Sequence, residues 1–157
     1  MATSGRRSKK DDAESMTSDR FVVDASVAIA WVDRGQATVA TQTLLSSLAE
    51  GAVFEVPSIW PLEVANALIS LKRRGRLTER ERRLASEWLR LLPHAIDSEA
   101  SVMAFDVLSD LAAKHGLSVY DAAYLEMAGR RGLALVSKDG ALVAAARKAR
   151  VAVWAAS

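Results

Sequence analysis

The run Phe21-Val22-Val23 stops on Asp24, and Ala25-Ser26 leads straight into a second apolar run, Val27 to Val32. The first run is too short for a helix and carries no polar alternation, so it describes a short strand buried on both faces. Strands of that kind belong to parallel sheets covered by helices. Ser26 reads as the N-cap of the helix over 27–32. Asp24 is thereby placed at the carboxyl end of a strand, the edge at which open α/β sheets bind ligands.

The same alternation continues downstream. Val39, Thr43, Leu44 and Leu48 have helical spacing within 36–50, and Gly51 is a natural stop. Val53 to Val56 reads as a second strand ended by Pro57. Ser58 with Pro61 opens a helix to about Arg74, stopped by Gly75. Thr78 and Glu81 have the spacing of a capping box. The helix they open carries Leu84, Trp88, Leu91 and Leu92 and ends at Pro93. His94-Ala95-Ile96 is a weak third strand. Ser98 begins a helix with Val102, Phe105, Leu108 and Leu111, closing before Gly116. Ser118 begins another, with Ala122, Leu125 and Ala128 on one face, ended by Gly132. Leu133 to Val136 is a strand, Ala141 to Ala149 a helix, and Val151 to Trp154 the last strand. Strands alternating with helices require right-handed crossovers. The expected fold is α/β: a three-layer α/β/α domain over 20–157, with a mostly parallel sheet of about five strands.

Residues 1–19 are polar and lack apolar periodicity, so disorder is expected there. Met16 stands shortly before the first strand as an alternative start, which would make part of the leader expression-derived. The charged N-terminus has no apolar core of a signal peptide, and no apolar run is long enough to span a bilayer. A cytoplasmic protein without membrane contact is the expectation. There are no cysteines and only two histidines. Thiolate sites are excluded and zinc is disfavoured. Any metal would have oxygen ligands, which suits magnesium or manganese. The net charge of +2 is too small to identify a partner. Its distribution says more: Lys72, Arg73, Arg74 and Arg76 open a basic stretch running to Arg83, either a solvated helix face or a surface for phosphates.

Four acidic residues occupy strand ends and helix starts. Asp24 follows the first strand, where a turn aspartate is the plain alternative. Glu63 stands in the first turn of its helix, where the dipole favours a carboxylate. It shares a face with Asn66, three residues on, and both are polar on an otherwise apolar helix and need partners. Asp121 is spaced from Ser118 as in a capping box. Asp139 follows the strand ending near Ser137-Lys138 and could cap the next helix. Each capping role is adequate alone. Gathered at one sheet edge, however, four carboxylates repel and raise one another's pKa values unless a cation is present. A magnesium ion needs few carboxylates plus water.

Asp-Ala-Ser-Val at 24–27, Glu-Val-Ala-Asn-Ala-Leu at 63–68, Tyr-Asp-Ala-Ala-Tyr at 120–124 and Ser-Lys-Asp at 137–139 resemble, in order and setting, the PIN domain, and most of all the VapC-type toxins of toxin–antitoxin pairs. The resemblance covers nearly everything after residue 20. It implies a metal-dependent endoribonuclease leaving 5′-phosphate and 3′-hydroxyl ends, a cognate antitoxin as partner, and usually a homodimer. Asp24, Glu63, Asp121 and Asp139 match the family's acidic catalytic and metal-binding positions, and Ser137 its hydroxyl residue before the last aspartate. Asp24 and Asp121 would be the main ligands of Mg2+, with Mn2+ the alternative. Asp139 and Glu63 would complete the pocket, and Ser26, Asn66 and Ser137 would fix the carboxylates. Lys72, Arg73, Arg74 and Arg76 are the candidate RNA contacts. Trp31 and Trp60 would line a groove for the antitoxin, or else be core. Two other readings compete. One is a PIN-like scaffold that binds RNA or protein without cutting. The other is a phosphoacceptor signalling domain, which would leave Glu63 and Asp121 unexplained.

Overall fold

A computed structural model describes residues 19–157. The expected leader therefore lies outside the described residues except for Asp19, whose carbonyl accepts a hydrogen bond from Val53 N at 2.9 Å. The chain runs β1 (Arg20–Val23), α1 (Ala25–Val32), α2 (Val39–Ala49), β2 (Val53–Pro57), α3 (Trp60–Arg73), α4 (Glu79–Leu91), β3 (His94–Asp97), α5 (Val107–His115), α6 (Val119–Arg131), β4 (Ala134–Ser137), α7 (Gly140–Lys148) and β5 (Val153–Ala155). The strands form one sheet in the order β3-β2-β1-β4-β5, and every pairing is parallel. This order differs from the 2-1-3-4-5 arrangement usual in signalling receivers, so the topology gives that reading no support.

β1 is central because its apolar residues are buried on both faces, Val22 and Val23 completely. It pairs with β2 through Phe21↔Phe54 and with β4 through Val23↔Val136. α1 to α4 pack among themselves and α5 to α7 among themselves, the two outer layers that right-handed crossovers of opposite direction produce. Gly116 and Gly132 end α5 and α6 at φ 65° and 64°, a left-handed conformation that glycine adopts without a Cβ penalty.

Several expected boundaries shift for identifiable reasons. Asp24, not Ser26, occupies the N-cap position of α1. Residues 34–36 form a separate 3-10 turn, and α2 starts only after Thr38, which makes a capping box with Thr41. α2 buries Thr41, Leu44 and Leu48, while Val39 is exposed. α4 has the expected Thr78–Glu81 box. It packs on α3 rather than on the sheet, so Leu89 alone in it is buried and Leu84, Trp88 and Leu91 face solvent. The expected helix from Ser98 is broken: a 3-10 turn at Glu99–Ser101 precedes α5. The break is held by Leu108 N on Met103 O and Ser109 Oγ on Ala104 O. Phe105 within it is 98% exposed. Trp31 and Trp60 belong to the core. Trp31 Nε1 donates to Thr41 O at 2.8 Å, and Trp60 packs on Phe54 and His94. Trp31 lines no groove, whereas Trp60, although 3% exposed, forms the floor of an open apolar pocket of about 350 Å³ with Val64, Leu68, Leu89 and Ile96. Among the described residues no helix is long and apolar enough to cross a membrane.

Candidate active site

From β1 the chain builds β2 and β3 to one side, and the later strands β4 and β5 lie on the other. The carboxyl ends of β1 and β4 therefore flank a topological switch point, where a crevice opens between oppositely directed crossovers. Asp24 stands in it. Its backbone N donates to Val136 O at 3.0 Å, extending the β1–β4 ladder by one step. That step brings Ser137 beside it. Asp24 Oδ2 accepts from Ser26 Oγ at 2.6 Å and from Ser137 Oγ at 2.8 Å. Each hydroxyl accepts in turn: Ser26 Oγ from Lys138 N at 3.1 Å, and Ser137 Oγ from Asp139 N at 2.9 Å. The mesh ties the β1–α1 and β4–α7 turns together and fixes an aspartate that is 4% exposed.

Asp139 caps α7, Oδ1 accepting from Leu142 N at 3.0 Å. The capping reading of this residue is correct as far as one oxygen goes. Asp121 behaves differently. Its backbone N donates to Ser118 Oγ at 3.0 Å, but the reciprocal bond that would complete a capping box is missing. The Asp121 carboxylate keeps only a weak interaction with the Ser118 hydroxyl. Glu63 is half-buried in the first turn of α3, and its Oε1 is buried without a hydrogen-bond partner.

These groups sense one another. Burial raises the Asp24 pKa against the pull of Ser26 and Ser137, and the Asp139 charge raises it further. Glu63 is pushed up to about 7, first by burial and then by the charges of Asp24 and Asp121. Burial also raises Asp121, with Asp24 and Asp139 adding to it. Three carboxyl groups are thus held against ionisation by loss of water and by mutual repulsion. A hard cation relieves both penalties, and the donors are all oxygen. The orphaned Glu63 oxygen fits this as well. Among the described residues, however, no three His, Asp or Glu side chains form a group able to hold an ion together. The arrangement fits an ion held by one or two carboxylates with water filling its shell, the usual manner of magnesium.

The remaining expected residues divide. Ser26 and Ser137 hold Asp24, whereas Asn66 is exposed and bonds to none of the four acids among the described residues. Arg76 pairs with Asp33 at 2.7 Å and Lys72 with Glu79 at 4.0 Å. Arg73 and Arg74 are exposed, and neither makes an ion pair among the described residues. Two residues were missed by sequence reasoning. Lys138 reaches Gln36 O through Nζ, locking the turn after α1 to the end of β4. Tyr124 is wholly buried beside Glu63, Asp24 and Asp121. Its place three residues after Asp121, on the same helical face, was the available signal.

A search of curated proteins finds no match. The crystal structure of PAE2754 from Pyrobaculum aerophilum superposes with a TM-score of 0.63 at 21% identity, covering 85% of this chain and 82% of that one. At that identity the likeness establishes the fold. The family model of the PIN domain, generally a nuclease fold, matches residues 21–148. The chain belongs to the PIN domain family.

Proposed function

We propose that the protein is a magnesium-dependent endoribonuclease and the toxin of a toxin–antitoxin pair. The observation that carries the nuclease reading is the set of mutually destabilised carboxyl groups at the switch point, Asp24, Glu63 and Asp121, with one buried oxygen of Glu63 left unbonded. Asp24 and Asp121 would hold Mg2+, with Mn2+ an acceptable substitute. Bound there, the ion supplies acidification of water and neutralisation of charge on the phosphodiester. Ser26 and Ser137 orient Asp24 and favour its ionised form against the effect of burial. Glu63 would orient the attacking water through one carboxylate oxygen. Asp139 has one oxygen committed to capping α7 and contributes negative charge through the other. His94 takes no part, since it stacks on Phe54 within β3 and is bonded through Nδ1 to Leu92 O. In-line attack by water would leave 5′-phosphate and 3′-hydroxyl ends.

Arg73 and Arg74, exposed at the end of α3, would contact RNA phosphates without reading sequence. For the antitoxin, the support moves from the buried tryptophans to the exposed stripe Leu84, Trp88 and Leu91 on α4, whose spacing suits an amphipathic partner segment. The homodimer rests on the family resemblance alone. The testing experiment is cleavage of a mixed structured RNA by antitoxin-free protein, with magnesium and then with chelator, beside Asp24→Asn. Chelator-sensitive cleavage absent from the variant supports the reading. Equal cleavage by Asp24→Asn overturns it.

A further inference from the structure

Tyr124 is the largest wholly buried side chain of the domain, and its hydroxyl has no hydrogen-bond partner. A phenol buried in that way normally finds one, because an unmade hydrogen bond in the interior costs the full loss of hydration. The second orphan oxygen at this depth is Glu63 Oε1. The two side chains meet at the sheet edge: the hydroxyl acts on the Glu63 carboxylate as a hydrogen-bond donor and favours its ionised form, and the Glu63 charge acts back on the phenol. Neither atom has any other hydrogen-bond partner. A donor without an acceptor faces an acceptor without a donor. Of the three carboxylates beside the phenol, only Glu63 meets the hydroxyl as a hydrogen-bond acceptor, while Asp24 and Asp121 act on it through charge alone. The Tyr124 backbone is fixed by α6, whose neighbouring Ala122 and Ala123 are buried, and the aromatic ring adds no flexible joint beyond χ2.

We propose that Tyr124 is a positioning residue of this site: its O–H is the donor that orients the Glu63 carboxylate, holding one oxygen so that the other faces Asp24 and Asp121. The assignment deepens the nuclease reading and rests on it for its consequence, not for its geometry. With the donor in place, Glu63 presents a fixed oxygen to an ion or its water. Without it, the carboxylate must be ordered at the moment of binding.

The test uses Tyr124→Phe, which keeps the ring and removes the donor. Mn2+ binding to the full chain, followed by electron paramagnetic resonance, should weaken about three- to tenfold, the range one hydrogen bond supplies. A purely structural ring would show no such change. The second readout needs no metal. The Tyr124 ring 13Cζ resonance, in chelator-treated protein, should move on Glu63→Gln and stay in place on Asp139→Asn. Unchanged Mn2+ binding in Tyr124→Phe, or a Tyr124 resonance indifferent to Glu63→Gln, overturns the assignment. A wild type that binds no Mn2+ but shows the Glu63-dependent resonance overturns the metal-dependent nuclease and upholds the Tyr124–Glu63 pair.

Discussion

Replacing Glu63 by Gln should stabilise the metal-free protein, and only above mild acidity. The Glu63 carboxyl is raised from 4.5 to about 7 in the folded protein. Between those values the folded chain still holds a proton that the unfolded chain has released, so stability falls as pH rises through the interval and levels off above it. At about 1.4 kcal/mol per pH unit the displacement corresponds to about 3 kcal/mol. Glu63 is only half-buried, and solvent screening leaves about 1–2 kcal/mol. The expected result is that Glu63→Gln and wild type unfold together near pH 4, while at pH 8 the variant is more stable by that amount. The assay is urea denaturation across pH 4–8 in the presence of chelator. Adding magnesium at pH 8 should stabilise wild type and close most of the gap, because the ion relieves the same repulsion. A variant that is less stable at pH 8, or a difference independent of pH, would refute the claim that Glu63 is strained by burial beside Asp24 and Asp121.

Asp24→Asn and Asp121→Asn should each reduce chelator-sensitive RNA cleavage at least about a hundredfold while far-UV circular dichroism stays native; a cleaving variant sinks the site assignment. Arg73→Ala with Arg74→Ala should flatten the dependence of RNA affinity on salt by about one to two in log–log slope, measured by filter binding; an unchanged slope returns these residues to solvated helix surface. Thr78→Ala should cost about 1 kcal/mol by loss of its cap on α4, read by urea denaturation, with cleavage unaffected.

Much of the fold was legible because its signals were local. Phe21-Val22-Val23 and Leu135-Val136 are buried on both faces, and apolar composition reports that directly. Caps at Thr78 and Ser118 and stops at Gly116 and Gly132 lie within a few residues of what they terminate. The misreadings have one cause in common: a helix's apolar spacing does not say what the helix will meet. α4 carries Leu84, Trp88 and Leu91 at helical spacing, yet it packs on α3 instead of on the sheet, and the stripe faces outward. Val102 and Phe105 continue a helical period, but Met103 O and Ala104 O are taken by Leu108 N and Ser109 Oγ, five residues on, which breaks the helical hydrogen-bond pattern there. Trp31 and Trp60 were ambiguous from their neighbours, and Phe54, on a strand between them in sequence, settles both as core.

The site shows the same division. That Asp24 and Asp139 lie at strand ends followed from local pattern. That Ser137 would bond Asp24 did not, because strand order is a long-range property and nothing near residue 24 announces that β4, and not β3, lies beside it. Capping was a fair alternative for both Asp121 and Asp139, and the two resolve in opposite ways. Asp139 caps with one oxygen and keeps the other. Asp121 leaves its box half made. A carboxylate has two oxygens and room for several donors, so anchoring a helix and facing a cleft are compatible for one side chain. The informative quantity is therefore the acceptor capacity left over once the local bonds are counted. By that measure Glu63, with a buried oxygen unbonded, and Asp121, with its reciprocal cap unmade, are the members of the set whose chemistry the fold leaves most open.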